Sequence, residues 1–343
     1  MTYSADTTRA LTLHDVFVAI CSEGPRLARR SRCKTGEIGD AVGTNHSSKV
    51  PFQDFSRIRH RHTLPRAPTG AATVDTVTTH SPTDAVLGLH GASVIHDGRR
   101  VVDGLTLNLH PGERWVVLGP NGCGKTTLLR VLSLYLHPTS GVVSYQGKPL
   151  GSFDVRNVRN HIAYSSASLA ADLRHALAAQ DVVMTAKYGA LETWWHEYDD
   201  EDHRRALECL ERLGIGTLAH RSFGTLSSGE QQRVLLARTL MCDPHVVLLD
   251  EPSARLDLGG RERLVADLDV LAATSPDLPM VLVTHHVDEI PTSCTHALLM
   301  KNGSSIRQGR IEDVMSSEHV SECFDVDLVV EKRHNRRWTA HRP

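Results

Sequence analysis

GPNGCGKTT, residues 119 to 127, is the stretch from which the rest of the chain can be read. It fits the spacing G-x-x-x-x-G-K-[ST] through Gly119, Gly124, Lys125 and Thr126. The residue types have physical reasons. Glycines let the chain bend so that successive backbone N–H groups converge on phosphate oxygens. A helix starting at the same point adds the positive end of its dipole. Lys125 is then placed to reach the β- and γ-phosphates, and the Thr126 hydroxyl to hold Mg²⁺. Pro120, Asn121, Gly122, Cys123 and Thr127 complete the candidate cradle. Cys123 reads either as a small filler or as a redox-sensitive thiol whose pKa is lowered by Lys125 and the helix end. By chance the pattern arises in roughly one protein of this length in a few dozen. Its context is what makes it informative: an apolar strand, Arg114 to Leu118, precedes it and a helix-forming run, Thr126 to Leu136, follows.

The chain on both sides has the matching texture. Val86 to Leu89 and Leu105 to Leu109 are strand-like. Residues 169 to 222 are mostly helical in pattern, with Ala206, Leu207, Leu210 and Leu213 on one apolar face. Val246 to Leu249 and Met280 to Val283 are short continuous apolar runs, as buried parallel strands should be. The alternation predicts a doubly wound α/β core with a helical insertion. The run at 246 to 252, VVLLDEP, ends in two carboxylates. That is costly for a buried strand unless the charges have a role. Asp250 is placed to bind Mg²⁺ and Glu251 to polarise an attacking water. Neighbouring strand residues face opposite ways, so the two share a site only because the strand ends there.

Composition narrows the possibilities. Hydrophobic residues make up 40% and charged residues 23% of 343, and the net charge is −2, which gives no general attraction to nucleic acid or acidic lipid. No apolar run approaches the roughly 18 to 20 residues that cross a bilayer, so a membrane role is expected to come through a partner. The seven cysteines form no CxxC pair, which fits a reducing cytoplasm better than a disulfide or zinc framework. Residues 1 to 84 are set apart. Up to residue 83 they carry 11 Arg and Lys against 7 Asp and Glu, with little hydrophobic periodicity. They read as a disordered extension or a basic interaction arm.

TLSSGEQQR, residues 225 to 233, resembles the signature of the ATP-binding cassette (ABC) superfamily, LSGGQ followed by a helix. Leu226, Ser227, Gly229 and Glu230 match, and the segment precedes Asp250 at the family's spacing of about twenty residues. Ser228 and Gln231 also fit a capping box. ARLD at 254 to 257 looks like the D-loop, with Asp257 its acid, and VTHHVDEI at 283 to 290 like the switch-histidine segment, with His285 as the switch and His286 structural. THALLMKNGSSIRQGRIEDVM, from 295, looks like the family's last strands and helix.

The resemblance implies an α/β P-loop NTPase core with a parallel sheet, an antiparallel β subdomain and a helical insertion at about 169–225. The cassette would span 85–338, with 339–343 as a tail. Lys125, Glu251 and His285 would be catalytic, and Thr126 and Asp250 would hold the metal. Ser227, Gly229, Glu230 and Asp257 would reach ATP bound to a second cassette, in a homodimer or a pair with a similar chain. His96 occupies about the position of the aromatic that stacks on adenine. The family's Q-loop glutamine is missing: HIAYSSASLAADL, residues 161 to 173, has none. Gln180 lies too far along, which leaves Ser166 or Ser168 as stand-ins. Among cassettes, the chain resembles lone ones grouped with molybdenum-transport-like and photorepair-like proteins. The expected function is the ATPase subunit of a transporter. It would sit in the cytoplasm at the membrane face through a separate permease, with Trp194, Trp195 and Tyr198 near the docking region. The alternative is a soluble regulatory or nucleic-acid-associated ATPase. No direct nucleic-acid contact is expected under the first reading.

Overall fold

The computed structural model describes residues 84–343 apart from 167–168, 194–195 and 334–336. The extension before residue 84, Ser168 and the Trp194–Trp195 pair therefore lie outside the described residues.

Strands β1 (Leu87–His96) and β2 (Arg99–Leu109) form a hairpin closed by Asp97 and Gly98. Both turn residues have positive φ, the geometry that matches strand twist. β3 (Arg114–Leu118) leads into helix α1 (Lys125–Leu132). Strands β4 (Ser140–Tyr145) and β5 (Lys148–Pro149) and helix α2 (Val155–Arg159) follow, then β6 (Ile162–Ser166). The helical insertion carries α3 (Leu169–Asp172), α4 (Ala179–Met184) and α5 (Asp200–Arg212), and returns through α6 (Ser228–Leu240). The core resumes with β7 (Val246–Asp250), α7 (Leu258–Thr274), β8 (Met280–Val283), β9 (His296–Lys301) and β10 (Ser304–Arg310). Helices α8 (Ile311–Val314) and α9 (Ser317–Phe324) and the hairpin β11 (Val329–Lys332) and β12 (Trp338–His341) end the chain.

Two sheets carry the architecture. The antiparallel one has the order β2-β1-β4-β5; the central one has the order β10-β9-β3-β8-β7-β6. In the central sheet β9, β3, β8, β7 and β6 run parallel and only β10 is reversed. Period-two alternation divides its core. Val247 and Leu249 of β7 and Leu282 of β8 face the helical insertion. Val246, Leu248, Val281 and Val283 face α1 and the antiparallel sheet.

Two expectations shift. The helix after the phosphate loop stops at Leu132, not Leu136, because buried Leu134 adopts positive φ and turns the chain. The segment expected to be a tail from 339 is largely strand: Val329 pairs with His341 and Lys332 with Trp338, and the Trp338 side chain is buried.

Candidate functional site

Strand order puts the ends of β3, β8, β7 and β6 side by side, with Val117 opposite Val283, and Asp250 opposite both Val283 and Ser166. The carboxyl ends of parallel strands are where open α/β sheets bind ligands. The phosphate loop leaves β3 here. A Cβ on Gly119 would lie 2.2 Å from the Met300 carbonyl oxygen, and one on Gly124 2.4 Å from that of Val101. Gly124 also has φ +104°, so only glycine fits as the residue before α1. No side chain caps α1, which leaves its first N–H groups for an anion.

Lys125 is buried, and its Nζ donates to the Gly119 carbonyl at 2.8 Å and that of Pro120 at 3.1 Å. The same Nζ lies 3.8 Å from Glu251 Oε1, and His285 Nδ1 lies 3.2 Å from that oxygen. The three residues expected to be catalytic thus converge on one carboxylate. Glu251 enters the site through its backbone. β7 ends at Asp250, and Glu251 takes φ +47°, with its N–H bound to the Val283 carbonyl. That left-handed turn, uncommon outside glycine, brings two consecutive acids to one site.

Asp250 is buried. Burial pushes its carboxyl above the usual range, and the hydrogen bond from Thr126 opposes the shift. Thr126 Oγ1 donates to Asp250 Oδ1 at 3.2 Å, while Tyr164 Oη donates to Oδ2 at 3.4 Å. Thr126 is exposed, so hydroxyl and carboxylate together offer hard oxygen ligands at an open edge, a donor set suited to Mg²⁺. Tyr164, on β6, was missed by sequence reasoning. Cys123 is buried, and burial raises its thiol more than Lys125 lowers it, which supports the filler reading over the redox one.

The switch segment is anchored from below. Thr284 donates to the buried Glu289 carboxylate at 2.5 Å and accepts from the His286 N–H at 3.1 Å. Arg261, in the first turn of α7, lies 3.5 Å from Glu289, tying α7 to the segment that carries His285. His286 packs beside His285 with ring centroids 4.1 Å apart.

The remaining candidates sit apart: among the described residues, no hydrogen bond or ion pair joins them to the Lys125–Glu251–His285 cluster. His96 is at the β1–β2 hairpin tip, exposed, 3.5 Å from Asp97. Asp257 caps α7, accepting from the Gly260 N–H at 2.7 Å. Ser227 and Glu230 form the capping box of α6, one residue earlier than the Ser228–Gln231 pairing expected from sequence. The helix starts one residue sooner, and Gln231 instead reaches the Phe223 carbonyl at 3.0 Å. Ser227 N–H and Oγ–H both donate to Glu230 Oε2, at 2.8 and 2.9 Å, and these bonds lower the Glu230 pKa. Gly229 is in the first turn of α6. Gln180 donates to the His203 carbonyl at 2.7 Å and holds α5, which removes it as a Q-loop residue.

Comparison with known proteins identifies the family. Residues 102–254 match the family described as ABC transporter. The ABC transporter ATP-binding protein YlmA of Bacillus subtilis is 32% identical over 75% of this chain and 96% of its own. The manganese transport system ATP-binding protein MntA of a Synechocystis species is 29% identical over 69% of this chain and 89% of its own. Among solved structures, cbiO1 of Clostridium perfringens, part of the ABC transporter complex cbiONQ, superposes with a TM-score of 0.60 at 28% identity, covering 70% of this chain and 94% of that one. A dimeric ABC cassette bound to ADP and phosphate shares the fold at 24% identity and a TM-score of 0.56, covering 66% of this chain and 98% of that one. The chain belongs to the ABC transporter family, as one of its ATP-binding ATPase subunits.

Proposed function

We propose that this cassette works in a pair, most simply with a second copy, and closes over two Mg²⁺·ATP to drive a separate transmembrane permease from the cytoplasmic face. The observation that carries the catalytic part is the convergence of Lys125 and His285 on Glu251, beside the Thr126–Asp250 edge. Lys125 gives up its loop carbonyls and turns to the phosphates. Glu251 accepts a proton from the attacking water, and His285 holds its carboxylate in place. Bound Mg²⁺, held by Thr126 and Asp250, would neutralise charge on the β- and γ-phosphates. Ser227 and Gly229 at the start of α6, with Asp257 and Glu230, would serve the partner's nucleotide, and His96 would lie against adenine.

Among the described residues no helix is long and apolar enough to cross a membrane, which supports a separate permease. The narrower grouping with molybdenum-transport-like and photorepair-like cassettes is a proposal resting on the chain's single cassette and motifs; the relatives named above carry other names. The cassette is proposed to span 85–338 together with the strand that continues to His341. Residues 1–84 are proposed to be dispensable for nucleotide binding.

The test is affinity capture of the tagged full chain from detergent-solubilised membranes, with hydrolysis measured in parallel. Co-purification of a multi-span protein that stimulates ATP turnover supports the reading. Capture of nucleic acid with no membrane protein would replace it with the regulatory alternative.

A further inference from the structure

The Q-loop glutamine, which the family resemblance places between the metal site and the helical insertion, has no counterpart in residues 161–173. The end of β6 holds a different device. Tyr164 and Ile162 share the α1-facing side of that strand, and the Tyr164 hydroxyl donates to Asp250 Oδ2 at 3.4 Å. The other oxygen, Oδ1, is held by Thr126 at 3.2 Å. Asp250 is thus oriented by two donors from two elements, α1 and β6. A buried carboxylate with one donor removed is free to turn and leaves an acceptor unmatched.

A phenol carries its proton at neutral pH, and facing a carboxylate it can only donate. The Ser166 hydroxyl, two residues on and on the same strand face, hydrogen-bonds the phenol. Beyond Ser166 the chain enters the insertion through α3. On its other side the Tyr164 ring meets the ring of half-exposed Tyr135, centroids 6.1 Å apart, and Tyr135 in turn lies under the Arg159 guanidinium at 4.7 Å.

We propose that Tyr164, seconded by Ser166, is the positioning residue that fixes the metal-binding carboxylate Asp250 at the edge of a site that lacks the family's glutamine. The assignment rests on the ATPase reading of the site. Tyr164 touches neither nucleotide nor metal in this scheme. It acts through Asp250, so its removal should show in metal dependence before it shows in nucleotide contact.

The experiment is calorimetric ATP binding to the full chain in Mg²⁺ and in EDTA, comparing wild type with Tyr164→Phe, which keeps the ring and its packing. In EDTA the two should agree within about twofold. In Mg²⁺ the variant should lose about three- to tenfold of the affinity that the metal adds, the range for an ordinary hydrogen bond, since the 3.4 Å separation is too long for the full strength of a charged one. The Mg²⁺ concentration for half-maximal hydrolysis should rise by a similar factor, with the rate at saturating Mg²⁺ nearly unchanged. Ser166→Ala should shift the same metal dependence by about twofold, acting through the phenol it supports. Equal metal dependence in wild type and Tyr164→Phe overturns the assignment. So does an equal loss in EDTA and Mg²⁺, which would make the tyrosine merely structural. Wild-type protein that gains nothing from Mg²⁺ would overturn the ATPase reading itself, and this assignment with it.

Discussion

The phosphate loop and the signature loop are both short polar turns ahead of a helix, and they are built in opposite ways. Ahead of α1 stands Gly124, left-handed and without a side chain, and the helix's first N–H groups meet no capping group of the chain. Ahead of α6 stands Ser227, whose N–H and hydroxyl are both taken by Glu230. The first loop is walled by backbone, with Val101 and Met300 carbonyls pressed against its glycines. The second is exposed and carries its own anion. A loop that leaves its donors open inside the fold is ready for a phosphate within one chain. A loop whose donors are occupied by its own carboxylate gains a ligand only when something displaces that carboxylate, which fits a role across an interface.

The largest expected effect separates chemistry from binding. Glu251→Gln keeps the size of the side chain and removes the carboxylate proposed to accept the proton. Hydrolysis should fall by about a hundredfold or more, while ATP binding to the single chain persists. Lys125→Ala should lose both. Steady-state turnover alongside equilibrium nucleotide binding distinguishes them, and Glu251→Gln turning over at the wild-type rate would remove Glu251 from its role.

Next comes one substitution made in both loops. In Gly124→Ala the new Cβ falls 2.4 Å from the Val101 oxygen at φ +104°, so the loop must move or strain. A loss of about 3 kcal/mol of stability is expected, and with it single-chain ATP binding. In Gly229→Ala the nearest atom to the new Cβ is Gly260 Cα at 3.9 Å, in ordinary contact. Stability should stay within about 1 kcal/mol, on the favourable side, since alanine suits a helix better. ATP binding by the single chain should be unchanged, and only the paired, hydrolysing state should suffer. Thermal melts and calorimetry check both, and equal damage from the two substitutions would erase the contrast.

The acids near the two loops should titrate with opposite signs. Burial raises the Asp250 carboxyl, so its ionised form is a cost to the nucleotide-free fold above the raised pKa, and the cost disappears as pH falls through it. Asp250→Asn should raise the melting temperature at neutral pH in metal-free buffer, with the gain shrinking toward acid. The Ser227 donors lower Glu230, so its contribution is present above the ordinary value of 4.5 and is lost as pH falls through the lowered one. Glu230→Gln should cost about 1 °C at neutral pH, small because the group is solvent-screened, and nothing once the wild-type carboxyl is protonated. Differences of the same sign in the two variants would contradict this account.

The sequence made the first loop far more legible than the second. GPNGCGKTT and VVLLDEP each combine a local spacing with a burial pattern, and both are local properties. The capping register of α6 was degenerate, because Ser227–Glu230 and Ser228–Gln231 have the same three-residue spacing. The structure takes the first, with Ser227 extended at φ −63° and ψ 159° and Leu226 beside it buried. The positive φ of Glu251 and the bond from Tyr164 to Asp250, 86 residues apart, leave no local trace. Only the end of the C-terminal hairpin, from residue 339, falls in the expected tail, for a similar reason: WTAH is too short to declare itself a strand without its partner.

The smallest expected effect concerns the filler of the phosphate loop. Cys123 is 4% exposed, and its Sγ would lie 2.8 Å from a Cβ at Gly119, so it packs directly beneath that glycine. Its thiol is raised above the ordinary value of 9.0 by burial, against the pull of Lys125. The reactive species toward peroxide is the thiolate, which is scarce at neutral pH in such a site. Nucleotide-free protein treated with peroxide should therefore keep ATP binding to nearly the same extent in wild type and Cys123→Ala. The substitution itself removes one buried sulfur, with a loss of about 1 kcal/mol or less and little change in activity. Selective inactivation of wild type, reversed by a thiol reductant and absent in Cys123→Ala, would show that the loop opens enough to expose the sulfur. The phosphate loop would then share the exposure that sets the signature loop apart.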